Sequence, residues 1–242
     1  MKIANDLIIG TIIKRYKRFL VDVELPNGQI VTSHSTNTGS MTSCWEPGDP
    51  ALIKHVDDPN RKLKYTLIAC KREDTWVGVD TASPQRLILE LLESGDCFGL
   101  KHIKELRTEV KYGSESSRID IWGRCRGQEI YIEIKNTTLK RGRWVSFPDA
   151  VTERGTKHLR ELQKMISKGH RAALIYVVQR NDVSFFDVAR DIDPQYYKEW
   201  TKAVRKGLEI YPIRFELVVS KTKGQFILKW VPKKLLPIKT MG

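Results

Sequence analysis

The two runs Arg118-Ile119-Asp120-Ile121-Trp122 and Glu129-Ile130-Tyr131-Ile132-Glu133-Ile134-Lys135 decide how this chain is read. Isoleucines at 119 and 121, and again at 130, 132 and 134, repeat with the period of two expected of half-buried strands. With residues 123–128 as a hairpin connection, the isoleucines share one face, and Asp120, Glu133 and Lys135 share the other. Direct and diagonal cross-strand neighbours lie roughly 5–8 Å apart, so two carboxylates and an ammonium meet on one surface. Asp120 and Glu133 then offer hard oxygen ligands to Mg²⁺ or Mn²⁺, ions that take one or two carboxylates plus waters and substrate phosphate. A metal there would lower the pKa of a bound water, while Lys135 orients that water or stabilises charge on phosphorus. The plainer reading is a salt-bridged strand face, with Glu133 paired to Lys135 or Arg118.

Helical signals surround this hairpin. Ser83-Pro84 is a good helix start, and Leu87, Leu91 and Leu92 lie on one side of the run to Ser94-Gly95. A second short helical stretch is expected over residues 100–106, then strands over 107–112, 118–122 and 129–135. Residues 156–168 form a helix with Leu159, Leu162 and Ile166 as its core face, stopped by Gly169. Residues 171–178 are nearly continuously apolar, as in a strand covered on both faces. Asp193-Pro194 opens a last helix, to about residue 206, and strands over 209–219 and 225–230 follow.

The first 80 residues read differently. Five short strands, over 7–13, 19–25, 29–33, 51–56 and 65–71, are punctuated by Pro26-Asn27-Gly28, Thr38-Gly39 and Pro47-Gly48. They suggest a small closed or half-closed barrel, of which the OB-fold is the commonest nucleic-acid-associated example. The boundary falls near residue 80, giving an OB-like domain over 1–80 and an α/β domain over 81–242.

Composition narrows the function classes. The longest apolar stretches fall well short of the ~18 residues needed to span a bilayer, so no membrane partner and a cytoplasmic location are expected. Of the formal charge of +13, residues 1–80 carry 11 basic and 10 acidic side chains, and 81–242 carry 31 and 19. The densest basic stretch, residues 135–171, holds ten Lys/Arg against three acids and would attract a polyanion. Cysteines at 44, 70, 97 and 125 form no C-x-x-C pair and are read as buried thiols. No G-x-G-x-x-G, P-loop or G-x-S-x-G is present, so nucleotide-dependent and serine-hydrolase chemistries lose their usual signatures.

The spacing D-x12-E-x-K on a hairpin, preceded by a helix and followed by a basic helix, resembles the PD-(D/E)xK nuclease core, with Ile119 at the nominal proline. In that core the first helix often donates another acid, for which Glu90 is the candidate metal ligand. The strings Arg15-Tyr16-Lys17-Arg18-Phe19-Leu20, Asn37-Thr38-Gly39-Ser40-Met41-Thr42, Glu109-Val110-Lys111-Tyr112-Gly113, Ser117-Arg118-Ile119-Asp120 and Phe147-Pro148-Asp149-Ala150-Val151-Thr152-Glu153-Arg154-Gly155 resemble the sugar fermentation stimulation protein A (SfsA) family. The resemblance runs from about residue 8 to 230. It implies an N-terminal OB-like barrel followed by a restriction-endonuclease-like α/β domain, and DNA binding.

Further candidate nucleic-acid contacts follow. Arg15, Lys17 and Arg18 are plausible phosphate partners on the barrel, with Phe19 read as core. Asn37, Thr38, Gly39 and Ser40 form a donor-rich turn in which Gly39 would let a partner's backbone approach closely. Lys111 and Arg118 flank the hairpin. Glu153 and Arg154 are expected just before the helix near Thr156, and Arg154, Lys157 and His158 at its start would meet a phosphate. The expected activity is metal-dependent nuclease action on DNA or RNA; the alternative is a DNA-binding regulator of sugar-utilisation genes that does not turn over. A second copy of the chain, as in a homodimer, is an open option.

Overall fold

The computed structural model describes residues 1–3, 6–114 and 117–239. Strand β1 (Lys2–Ile3) precedes six strands: β2 (Leu7–Tyr16), β3 (Leu20–Glu24), β4 (Ile30–His34), β5 (Pro50–His55), β6 (Tyr65–Arg72) and β7 (Thr75–Gly78). Helix α1 (Ser83–Ser94) leads to β8 (Ile103–Tyr112), β9 (Ser117–Cys125), β10 (Gln128–Thr137), β11 (Leu139–Arg141) and β12 (Trp144–Phe147). Then come α2 (Glu153–Ser167), β13 (Arg171–Val178), β14 (Phe185–Val188), α3 (Pro194–Arg205), β15 (Glu209–Thr222) and β16 (Gln225–Leu235).

Strands β2 to β7 make one sheet in the order β4-β3-β2-β5-β6-β7, and β4 returns to β6 through the rungs Ser33↔Tyr65 and His34↔Thr66. This is an OB-type barrel with a short closing seam. A second sheet runs β1-β16-β15-β13-β10-β9-β8, parallel only across β10, β13 and β15, and a small sheet β11-β12-β14 lies beside it. The architecture is mixed α/β. One hydrophobic cluster joins Leu7, Leu52 and Ile68 of the barrel to Leu87 and Ile88 of α1 and Ile130 and Ile132 of β10, so barrel and sheet share a core. The link is reinforced by Arg180, 0% exposed, which donates to the carbonyls of Ser43 at 3.0 Å and Thr138 at 2.9 Å.

Local chemistry explains the helix ends. Pro84 opens α1, and Gly95, at φ +77°, closes it with its N–H on the carbonyls of Leu91 and Leu92. Thr152 caps α2, its Oγ1 accepting from Gly155 N at 3.0 Å, so this helix starts three residues before the expected Thr156 and takes Glu153 and Arg154 into its first turn. Asp193 caps α3 through Oδ1 on Tyr196 N, and its Oδ2 accepts from Thr152 N, tying the starts of two helices together.

Several expectations are corrected. The helical stretch over 100–106 is instead the start of β8, whose ladder with β9 shifts register between Lys104 and Arg107, with Glu105 left-handed at φ +55°. That bulge breaks the period of two, and the sequence around it mimics a helical pattern. The short strands β7, β11, β12 and β14 were not expected; β7 pairs back on β6 and β11 on β12 as tight hairpins, and only β14 is held by a distant segment, β12. Phe19 is 41% exposed beside His34 rather than in the core. Ile119 and Ile121 do not share a face: Ile121 joins Ile130 and Ile132, while Ile119 packs with Leu159 and Leu162 of α2. The flip falls where Glu109, left-handed at φ +55°, interrupts the rungs between Thr108↔Ile121 and Val110↔Ile119.

Candidate functional site

The β9–β10 hairpin pairs from Cys125↔Gln128 to Ile121↔Ile132 and then splays. Just beyond the last rung, Asp120 substitutes for the missing backbone partner: its Oδ2 accepts from Ile134 N at 2.6 Å. Gln85 of α1 donates to the Asp120 carbonyl at 2.9 Å and to Glu109 Oε1 at 3.0 Å, holding this turn of the chain from the side.

Glu133 is 2% exposed. Its Oε1 accepts from Lys135 Nζ at 2.7 Å and is hydrogen-bonded by His158 Nδ1 from α2. Its Oε2 is buried and has no hydrogen-bond partner among the described residues. Burial alone would raise the Glu133 carboxyl; the Lys135 ammonium and then the His158 contact outweigh it and hold the group below the usual range. Asp120 goes the other way, pushed up to about 7 by burial first and by the Glu133 charge second. Two neighbouring carboxylates are thus shifted in opposite directions.

Asp120 and Lys135 line a cavity of about 290 Å³ between the two sheets. The barrel turn containing Asn37, Thr38 and Gly39 forms its other side, so the family-like turn and the E-x-K strand meet across one space. A shallow groove next to it is lined by Glu109, Ser117, Arg118, Arg154, Lys157 and His158.

The other sequence candidates fall into three groups. Arg118, Arg154, Lys157 and His158 gather in that groove. Arg15 donates to the carbonyls of Asn37, Gly39 and Ser40 and so holds the turn in shape, whereas exposed Arg18 touches it through Nε on Thr38 O. Lys17 is exposed at the β2–β3 turn, and Lys111 is exposed on β8. Glu90 leaves the metal set: it pairs with the Met1 ammonium at 2.7 Å, and the acid besides Glu133 whose charge reaches Asp120 is Glu109. No group of three His, Cys, Asp or Glu side chains among the described residues is arranged to hold a metal, so a cation here would rest on two carboxylates completed by water or phosphate. The four cysteines are buried and free.

Family models decide the relationship. Residues 82–221 match the one described as "Sugar fermentation stimulation protein RE domain", and 13–79 match "SfsA N-terminal OB domain". The chain belongs to the SfsA family. A sugar fermentation stimulation protein homolog of Geotalea uraniireducens is 46% identical over 88% of this chain and 92% of its own. One from Rhodospirillum rubrum is 41% identical over 96% and 98%. The solved structure of Pyrococcus furiosus SfsA in complex with Ca²⁺ superposes with a TM-score of 0.85, covering 99% of this chain and 98% of that one at 22% identity. No helix among the described residues is long and apolar enough to cross a membrane.

Gln85, Asn136 and Ser146 also line the cavity and carried no signal in the sequence. Asn136 directly follows the E-x-K run, and its adjacency to Lys135 was the one available hint.

Proposed function

We propose that this SfsA-family chain is a metal-dependent phosphodiesterase acting on DNA or RNA, with Asp120 and Glu133 as ligands for Mg²⁺ or Mn²⁺ and Lys135 beside them. The observation that carries this reading is Glu133 Oε2, a buried carboxylate oxygen next to a second carboxylate and without a donor among the described residues. An orphaned charged oxygen costs more than 1 kcal/mol or so, and a divalent cation is a partner that suits two neighbouring carboxylates. Lys135 and His158 bind the other oxygen, which fixes the carboxylate plane and leaves Oε2 for a ligand. When bound, the cation would supply Lewis-acid polarisation and charge for the pentacovalent phosphorus.

The remaining steps belong to the chain. Asp120, anchored on the Ile134 amide, keeps its carboxylate in place without reorganisation. Lys135 stands where it can donate to a phosphoryl oxygen or orient the attacking water. Arg118, Arg154 and Lys157 supply phosphate contacts from the adjoining groove. The Ca²⁺ complex of the Pyrococcus furiosus relative supports the choice of a hard cation.

Cleavage of labelled single-stranded and duplex substrates, with Mg²⁺, Mn²⁺ or EDTA, tests the reading against Asp120→Asn and Lys135→Ala. Metal-dependent product from the native chain and its loss in both variants is expected; equal product from all three removes the assignment. Binding with no product under any metal would support the other reading, a nucleic-acid-binding regulator of sugar-utilisation genes, which the relatives' name favours.

A further inference from the structure

Two residues that line the cavity beside Asp120 each carry a buried polar atom with no hydrogen-bond partner among the described residues: Asn136 Nδ2 and Ser146 Oγ. Ser146 is 1% exposed. The orientation of the Asn136 amide follows from chemistry. Trp230 Nε1 can only donate, and it gives its hydrogen to Gln179 Oε1 at 2.6 Å. Gln179 therefore turns its amino group away, where Nε2 donates to Asn136 Oδ1 at 2.9 Å. Asn136 is left with its acceptor occupied and its donor free. Three side chains far apart in sequence thus fix the amide of a residue that lines the cavity.

Away from Asp120 and Lys135, beside which the phosphate is placed above, the cavity walls are amide and hydroxyl rather than cationic. The lining carries Asp120 and Asp149 against the single cation Lys135, whereas Arg118, Arg154 and Lys157 cluster in the adjoining groove. Amides and hydroxyls suit an uncharged ligand with its own donors and acceptors. The barrel turn roofs the space and is tied to both rims. Thr36 Oγ1 accepts from Thr81 N at 2.9 Å and donates to Asp80 Oδ1 at 3.2 Å, and Ser40 Oγ donates to Asp149 Oδ2 at 3.3 Å. A roofed space of about 290 Å³ is at the lower end of the range for small-molecule sites and far too small for a duplex.

We propose that this cavity receives one unstacked nucleotide, whose base accepts hydrogen bonds from Asn136 Nδ2 and Ser146 Oγ, so that the substrate is single-stranded or frayed nucleic acid rather than intact duplex. The proposal rests on the phosphodiesterase reading for the nature of its ligand and adds the substrate class. Bases read outside a duplex are held in this way, by hydrogen bonds to an edge within a closely fitting pocket.

The experiment is fluorescence anisotropy with the full chain and one labelled oligonucleotide, single-stranded or as a blunt duplex, in Ca²⁺ and in EDTA. The single strand is expected to bind at least tenfold more tightly. Asn136→Asp keeps the acceptor for Gln179 and replaces the free donor; it lowers single-strand affinity roughly tenfold and leaves duplex affinity unchanged. Ser146→Ala, a smaller perturbation to folding, lowers it about threefold. Trp230→Phe releases the Gln179 amide and lowers it by a similar factor, with the fold checked by circular dichroism. Equal affinity for the two forms, or folded Asn136 and Ser146 variants that bind single strands like the native chain, overturns the proposal. Duplex cleaved as fast as single strand in Mg²⁺ overturns it while the phosphodiesterase stands. Selective single-strand binding without product in Mg²⁺ or Mn²⁺ removes the phosphodiesterase while the pocket stands, and failure to bind either form removes both.

Discussion

Lys135 Nζ lies 2.7 Å from Glu133 Oε1, two residues away on the same strand face. The pair is a consequence of strand geometry, but its burial makes it consequential. Lys135→Met should slow cleavage at least 100-fold, the usual effect of removing one preorganised donor. It should also destabilise the fold by roughly 3–5 kcal/mol, because a 2%-exposed Glu133 loses its ammonium partner. Single-turnover kinetics and urea denaturation measure the two effects separately.

Asp120→Asn should abolish cleavage and yet stabilise the metal-free fold. Burial first and the Glu133 charge second raise the Asp120 carboxyl from 3.8 to about 7, so the folded chain retains a proton that the unfolded chain releases. The group's contribution is therefore most favourable below pH 3.8 and falls as pH rises to about 7. At pH 8 in EDTA the melting temperature of the variant should exceed the native value by several degrees. Scanning calorimetry across pH checks this, and the gap should close below about pH 4.

Asp182 grips the buried Arg180 through Nε at 2.7 Å and Nη2 at 2.8 Å, and accepts from Lys140 Nζ at 2.7 Å. Its carboxyl is lowered to about 2: burial opposes the shift, and Arg180 and Lys140 overcome it. The sign is opposite to that of Asp120, so this stability is present above pH 3.8 and lost as pH falls toward 2. Asp182→Asn should cost roughly 3 kcal/mol at pH 7 by leaving Arg180 without its counter-charge, with little difference from the native chain at pH 2. Urea melts at the two pH values decide it. Because Arg180 also donates to Ser43 O, loss of the clasp should loosen the barrel from the sheet, read as faster hydrogen exchange at their seam.

Gly39 faces Asp149 so closely that an added Cβ would stand 2.4 Å from Oδ2. Gly39→Ala should displace the roof of the cavity and weaken single-strand binding several-fold. Asp149→Ala removes the obstructing carboxylate, so the double variant should bind better than the sum of the single effects allows. Additive losses would place the effect elsewhere.

In the groove, Arg154→Ala should reduce the slope of log affinity against log salt by about 0.7 to 0.9, one phosphate contact's share. Titrations between 50 and 300 mM salt, on the order of the range used for such slopes, test whether the residue touches the ligand.

Much of this architecture was legible before any coordinates. The turn at Pro26-Asn27-Gly28, the start at Ser83-Pro84, the stop at Gly169 and the apolar run 171–178 all carry their meaning within a few residues, through backbone sterics, capping and side-chain periodicity. The hairpin bearing Asp120, Glu133 and Lys135 was readable for the same reason. The start of β8 was not, because the bulge at left-handed Glu105 breaks the period of two and leaves a pattern that reads as helix.

Sequence by itself determined which ionisable groups stand on neighbouring strands, since a period of two acts over adjacent residues. Tertiary structure alone decided what those groups do. His158 reaches Glu133 across 25 residues, Gln179 reaches Asn136 across 43, and Trp230 reaches Gln179 across 51. Those partners set which carboxylate oxygen stays open and which way the Asn136 amide is turned, while the break in the β8–β9 rungs at Glu109 coincides with the side of the sheet that receives Ile119. Such contacts depend on how sheets and helices close on one another, and spacing along the chain carries no record of that closure.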